Sequence, residues 1–275
     1  MEIKEKATDL ANYGLGAASG LAIYKYAPKS FIKSYNQYIL DSIDHTNSND
    51  YWDAAQKAYQ NSYLSKPLNE KINLPKIEMI NINEKNADQL TQNIIKRVRF
   101  SKHFIVNNKI WEFFFGSQKK MFPKKISSAA EGKNAFCLLS TMQKNSLIIL
   151  NKDKIGFSVF HEMGHAINKY STDFKKRIQK ARSLRLMAPV LFLSALLTER
   201  REKADNKTSK TINFLKDNCG IITTGCMLPI VAEEGLASIN GAKLAKSVLT
   251  PELYKKMNKS NLKAFSSYAF GTVIM

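Results

Sequence analysis

The sequence predicts an α+β fold that is predominantly helical, and three observations carry that prediction. Apolar residues recur at three- and four-residue spacing from Ala87 to Val98 (Ala87, Leu90, Ile94, Ile95, Val98), as a surface helix requires. Two short apolar runs, Ala135 to Leu139 and Leu147 to Leu150, flank the polar stretch Ser140 to Ser146 and read as a β-hairpin. After Asn151-Lys152-Asp153 the helical period returns: Val159, Met163, Ala166 and Tyr170 mark one face, and Phe157, Phe160 and Ile167 add apolar bulk beside it. With Asp153 as its cap, this last segment predicts one mostly buried helix of about four turns.

The chain has 275 residues, 44% of them hydrophobic, which supports one substantial domain or two small ones and excludes a disordered tail. Its net charge of +19, from 42 Lys and Arg against 23 Asp and Glu, favours contact with anionic surfaces such as lipid headgroups. No RNA- or DNA-binding motif accompanies that charge, so nucleic acid is the lesser expectation. Cys137, Cys219 and Cys226 form no CxxC pair and read as reduced thiols. No cleavable signal peptide is expected: acids balance Lys4 and Lys6 near the start, and the Leu10 to Ala27 stretch carries Asn12, three tyrosines and Lys25, which also makes it a poor membrane span. Residues 28 to 90 are polar, punctuated by Pro67 and Pro75, and show no internal repeat. The aromatic cluster Trp111-Glu112-Phe113-Phe114-Phe115 precedes Lys119, Lys120, Lys124 and Lys125. A core strand followed by a solvated basic turn is the expectation there, with a membrane-interface anchor or a nucleic-acid stacking patch as alternatives. We divide the chain into an N-terminal region, 1–130, whose role is not legible beyond membrane contact, and a chemistry-bearing domain, 131–275.

Inside the later helix stands His161-Glu162-Met163-Gly164-His165, an HExxH pattern using two of the four histidines. At i and i+4 the imidazoles project from one face about a turn apart, so both can reach one zinc ion at roughly 2.0–2.1 Å. Glu162 is turned sideways, where its carboxylate can act as general base towards a zinc-bound water. Composition predicts roughly 0.002 chance matches to this pattern in a chain with four histidines, so coincidence is a poor explanation. The competing reading, two histidines packed in a buried helix, requires other hydrogen-bond partners for every ring nitrogen.

A tetrahedral catalytic zinc needs a third protein ligand and an open fourth position. His45 and His103 lack matching context. Downstream, Glu233 and Glu234 end an uncharged run from Asn218 to Ala232, and no basic residue occurs between Asp217 and Lys243. Positive charge must therefore come from elsewhere, and a metal would supply it. On a helix, Glu234 shares a face with Ala237, Ser238 and Gly241, small residues that permit close approach to the HExxH helix, whereas Glu233 sides with Leu236, Ala237 and Asn240. Glu234 is the expected ligand and Glu233 its neighbour, with a solvated pair of helix-starting glutamates as the alternative.

At these residues the chain resembles the integral-membrane zinc metallopeptidases that include the CAAX prenyl proteases and the bacterial heat-shock membrane protease. Three blocks in the family's order carry the resemblance: Asn134-Ala135-Phe136, HEMGH from His161, and Glu234 in an ExxA context ending at Ala237. The resemblance implies a zincin-like, HExxH gluzincin-type metallopeptidase domain with one Zn2+ per chain and Glu234 as third ligand. The family often has Asp four residues after that Glu, orienting a metal-bound histidine; here Ser238 stands in its place.

The family also places a membrane hairpin between the two blocks. Leu186 to Thr198 and Asn218 to Ala232 are apolar segments of that kind, but both fall short of the roughly 20 residues of a full span. Membrane association is expected rather than spanning, with a buried hairpin in a soluble cytoplasmic domain as the alternative. The cluster Lys175, Lys176, Arg177, Lys180, Arg182 and Arg185 before the first segment would put the catalytic side on the cytoplasmic face. The function expected is a membrane-associated zinc endopeptidase that attacks protein or peptide substrates with a zinc-bound water. The competing classes are an idle zincin-fold scaffold that binds membrane or nucleic acid, and a zinc hydrolase of non-peptide substrates. Tyr268 is expected in the core or at the surface rather than as an oxyanion donor.

Overall fold

The computed structural model describes residues 42, 46–61, 76–97, 118–138, 145–170, 173–186, 188, 191 and 207–274. They form two compact units. The larger comprises Asp44–Leu184 and Pro229–Leu262 and carries all the chemistry discussed below; the 130/131 divide drawn from the sequence falls inside it.

A three-stranded sheet sits at the centre of this unit, in the order β1 (Lys76–Asn81), β3 (Asn145–Leu150), β2 (Phe136–Leu138). β2 and β3 pair antiparallel with Phe136 opposite Ile149, which realises the expected hairpin. β1 runs parallel to β3, with Lys76 opposite Asn145, and nothing in the polar 28–90 region announced it. As the central strand, β3 is buried from Ser146 to Leu150, on both of its faces.

On one face, Leu147 and Ile149 join Ile94 of α2 (Ala87–Arg97) and Phe122, Ile126, Ala129 and Ala130 of α3 (Gln118–Ala130) in a continuous core. α2 matches the expected helix. α3 corrects the basic turn expected at Lys124 and Lys125: burying Phe122, Ile126, Ala129 and Ala130 together needs helical spacing, which leaves the two lysines exposed on the other side. Trp111 to Phe115 lie outside the described residues.

The opposite face, defined by the alternation of strand side chains, carries the helix with the HExxH pattern. The single long helix expected after Asp153 is two: α4 (Lys152–Ile155) and α5 (Ser158–Tyr170), with Gly156-Phe157 between them. The cap is Asn151 rather than Asp153, its side chain accepting from the backbone N–H groups of Asp153 (3.1 Å) and Lys154 (3.2 Å). Its amide also donates to the carbonyl of Ala130 at 2.6 Å, while the Asn81 side chain accepts from the Lys152 N–H at 3.0 Å. The strand ends therefore fix where α5 begins. Against α4 and α5 packs α1 (Ser48–Asn61), through Tyr51, Trp52, Ala55 and Ala58. α6 (Asp173–Ala181) follows α5 and ends in a 3-10 turn, Arg182–Leu186.

α7 (Lys207–Asp217) precedes α8 (Cys219–Lys246), and α9 (Pro251–Ile274) closes the chain. The expected 15-residue apolar segment ending at Ala232 is thus corrected to part of a 28-residue helix, the one described helix long and apolar enough to cross a membrane. Of the partner segment Leu186 to Thr198, only residues 186, 188 and 191 are described. In the smaller unit Lys263 Nζ donates to the Ser42 carbonyl at 2.6 Å. The side chain of Tyr268, on α9, lies outside the described residues.

Candidate metal centre

α5 and α8 cross at two glycines. A Cβ on Gly164 would collide with the carbonyl oxygen of Ala237, and one on Gly241 with the carbonyl oxygen of Phe160. Each helix supplies a glycine at the point where the other's backbone passes, which is the close approach expected from Ala237, Ser238 and Gly241. It places the acidic pair of α8 over the histidine face of α5.

The result is a buried group of His161, His165 and Glu234, whose ligand atoms all lie within 4.8 Å of one another; it could hold a metal ion. Glu234 Oε2 stands 3.1 Å from His161 Nε2 and 3.4 Å from His165 Nε2. Donors held at about 2.0–2.2 Å from one tetrahedral centre lie roughly 3.3 Å apart, and the two separations from Glu234 Oε2 are of that size. The other ring nitrogens point outward to partners: His161 Nδ1 to Ser238 Oγ at 3.0 Å, and His165 Nδ1 to Glu233 Oε1 at 2.7 Å. Ser238 thus contacts one histidine and Glu233 the other.

The chemistry of His165 narrows the choice further. A carboxylate faces each of its nitrogens, and a carboxylate only accepts. The raised pKa of His165 keeps protons on both nitrogens; a metal on Nε2 would make it a neutral ligand whose Nδ1–H donates to Glu233, the usual arrangement of a metal-bound histidine.

Three residues of the site escaped sequence reasoning. Arg182 donates from Nη1 to Glu233 Oε2 at 2.6 Å and from Nη2 to Glu234 Oε1 at 3.2 Å. A guanidinium thus supplies part of the positive charge that the glutamate pair was expected to draw from elsewhere, and the case for a metal rests on donor geometry. Asn168 donates to Glu233 Oε1 and to its carbonyl, both at 3.3 Å, and Asn240 donates to Asn168 Oδ1 at 2.6 Å. Asn168 follows His161 and His165 at i+7 and i+3 on the buried helical face, a pattern that marks it in retrospect. Arg182 offered no such signal within a run of basic residues.

Burial and charge oppose each other throughout. Burial alone would lower His165, but hydrogen bonds to Glu233 and Glu234 outweigh it and push it up to about 10. Burial would raise Glu233 and Glu234, yet both are held below the usual carboxylate range, Glu233 chiefly by His165 and then Arg182, and Glu234 by His161 and His165. Glu162 goes the other way: it is 5% exposed, and burial raises it against the pull of His165 and His161.

No family model, characterised protein or solved structure matches the chain.

Proposed function

We propose that the chain is a zinc-dependent endopeptidase of zincin type, membrane-associated, with its catalytic side cytoplasmic. The observation that carries this reading is the convergence of His161 Nε2, His165 Nε2 and Glu234 Oε2, with both Nδ1 atoms held from behind by Ser238 and Glu233. The resemblance to the membrane zinc metallopeptidases points the same way.

His161, His165 and Glu234 would hold the ion. A zinc ion bound there would lower the pKa of a coordinated water towards about 7 and polarise the scissile carbonyl. Glu162, next to the first histidine and raised by burial, accepts the proton that water releases and returns it to the leaving amine. The water oxygen ends on the carbonyl carbon, the C–N bond breaks, and the proton leaves with the amine. β2 packs beside α5, and no described strand pairs with its outer edge, so the backbone of Phe136–Leu138 offers an extended peptide a row of hydrogen bonds. The basic residues around α6, Arg177 and Lys180 among them, support the cytoplasmic orientation.

A second reading, an idle scaffold on the same fold, draws on the observation that every ring nitrogen of the two histidines already has a protein partner. Metal analysis and kinetics separate the two. Purified protein should carry about one zinc per chain, lost in His165→Ala and Glu234→Gln. Glu162→Gln should keep the zinc and lose peptide hydrolysis by about 100- to 10,000-fold. A wild type that takes up no zinc on reconstitution, or a Glu162→Gln variant as active as wild type, would overturn the peptidase reading.

A further inference from the structure

We propose that Arg182 is a positioning residue: by bridging Glu233 and Glu234 it confines Glu234 to one metal-facing oxygen and leaves the remaining coordination position open. This rests on the metal site proposed above.

The oxygens divide cleanly. Arg182 takes Glu233 Oε2 and Glu234 Oε1, at 2.6 and 3.2 Å. The oxygens it leaves, Glu233 Oε1 and Glu234 Oε2, are those that face the histidines, at 2.7 Å from His165 Nδ1 and at 3.1 and 3.4 Å from the two Nε2 atoms. A carboxylate beside a metal can bind through one oxygen or both. Binding through both would fill the place the reaction needs, since a catalytic zinc keeps three protein ligands and one open site. With Oε1 engaged by the guanidinium, only Oε2 is free to turn inward. The same guanidinium fixes Glu233 so that its other oxygen holds His165 by Nδ1, which sets the tilt of that ring and directs Nε2 at the ion. Two glutamates adjacent on α8 and a planar cation with donors on separate nitrogens are matched parts. Lysine carries the charge but has no fork with which to reach two carboxylates in fixed geometry.

The test compares wild type with Arg182→Met and Arg182→Lys, loaded with zinc. The readouts are zinc affinity, by competition with a chromophoric chelator, and coordination number, by X-ray absorption at the zinc edge, with circular dichroism as the control for folding. Wild type should show four light ligands. Arg182→Met should show a higher coordination number and bind zinc about 10- to 100-fold more weakly. Arg182→Lys should recover part of the affinity but not the four-fold coordination. A folded Arg182→Met with wild-type affinity and four ligands would overturn the proposal. Should Arg182→Met fail to fold, Arg182→Lys decides: wild-type coordination number and affinity in that variant would equally overturn it. A wild type that binds no zinc would instead remove the metal site itself, an outcome distinct from both.

Discussion

His165 has a carboxylate on each side, and that fixes how the site responds to pH. In the metal-free protein its hydrogen bonds to Glu233 and Glu234 push it up to about 10 from an ordinary 6.5, so at neutral pH it holds a proton that a metal ion on Nε2 would have to displace. Binding should therefore release about one proton per chain from His165 near pH 8, and affinity should climb with pH until about 10; calorimetry in buffers of differing ionisation enthalpy reads both. The linkage to stability has a definite sign. A group whose pKa is raised by folding stabilises fully below its unfolded value and loses that contribution as pH rises through the folded one. The metal-free protein should thus become less stable between about 6.5 and 10, while the zinc form should not. Glu233 and Glu234, lowered from 4.5, add stability above that value which is lost as the solution is acidified. A metal-free melting temperature that stayed flat or rose from pH 7 to 9.5 would mean His165 is not charged. At this scale much was legible. Helical spacing and donor chemistry pick out His161, His165 and Glu234, which the fold brings together as a group that could hold a metal ion. They do not pick out Arg182, because its partners lie 51 and 52 residues further on and no periodicity links them.

The crossing of α5 and α8 turns these residues into a site, and it hangs on two missing methyl groups. Gly164→Ala and Gly241→Ala each thrust a Cβ into the other helix's backbone, which cannot retreat as a flexible side chain would. Each should cost about 1–3 kcal/mol in urea denaturation and weaken zinc binding as the helices separate. Gly225→Ala, on the same α8 but with open space around its Cβ, is the control and should be neutral or stabilising by up to about 1 kcal/mol. Equal behaviour of the three would mean that the helices do not approach this closely. The small residues Ala237, Ser238 and Gly241 announced the crossing because their spacing matches one helical face. β1 announced nothing. Its pairing is parallel, with Lys76 opposite Asn145, and a partner that distant leaves no turn signal in the sequence. The misplaced cap has a similar cause: Asn151 is anchored by the carbonyl of Ala130 from α3, a tertiary contact that local reading cannot supply.

At the scale of the whole molecule, the apolar part of α8 is largely exposed. An 18-residue window of this helix has a mean hydropathy of 1.3, yet only 17% of it is buried, so packing within the described chain does not account for its composition. Ile221 is 76% exposed and Leu228, two turns on, 58%; on α7, Phe214 is 61% exposed. The membrane contact proposed above would pair these apolar side chains with acyl chains and the net charge of +19 with headgroups. Removing one large apolar side chain from such a contact forfeits about 1.5–3 kcal/mol, which corresponds to a tenfold or greater fall in partitioning. Ile221→Glu and Leu228→Glu should therefore each reduce co-flotation with anionic vesicles roughly tenfold or more, whereas Ala232→Glu, on a small side chain beside the acidic pair, should matter less. Salt separates the two contributions: raising ionic strength should weaken the wild type's binding in part, by screening the headgroup attraction, but leave a residue that the glutamate variants lack. Binding abolished by salt alone and indifferent to Ile221 and Leu228 would mean that charge, not α8, makes the contact.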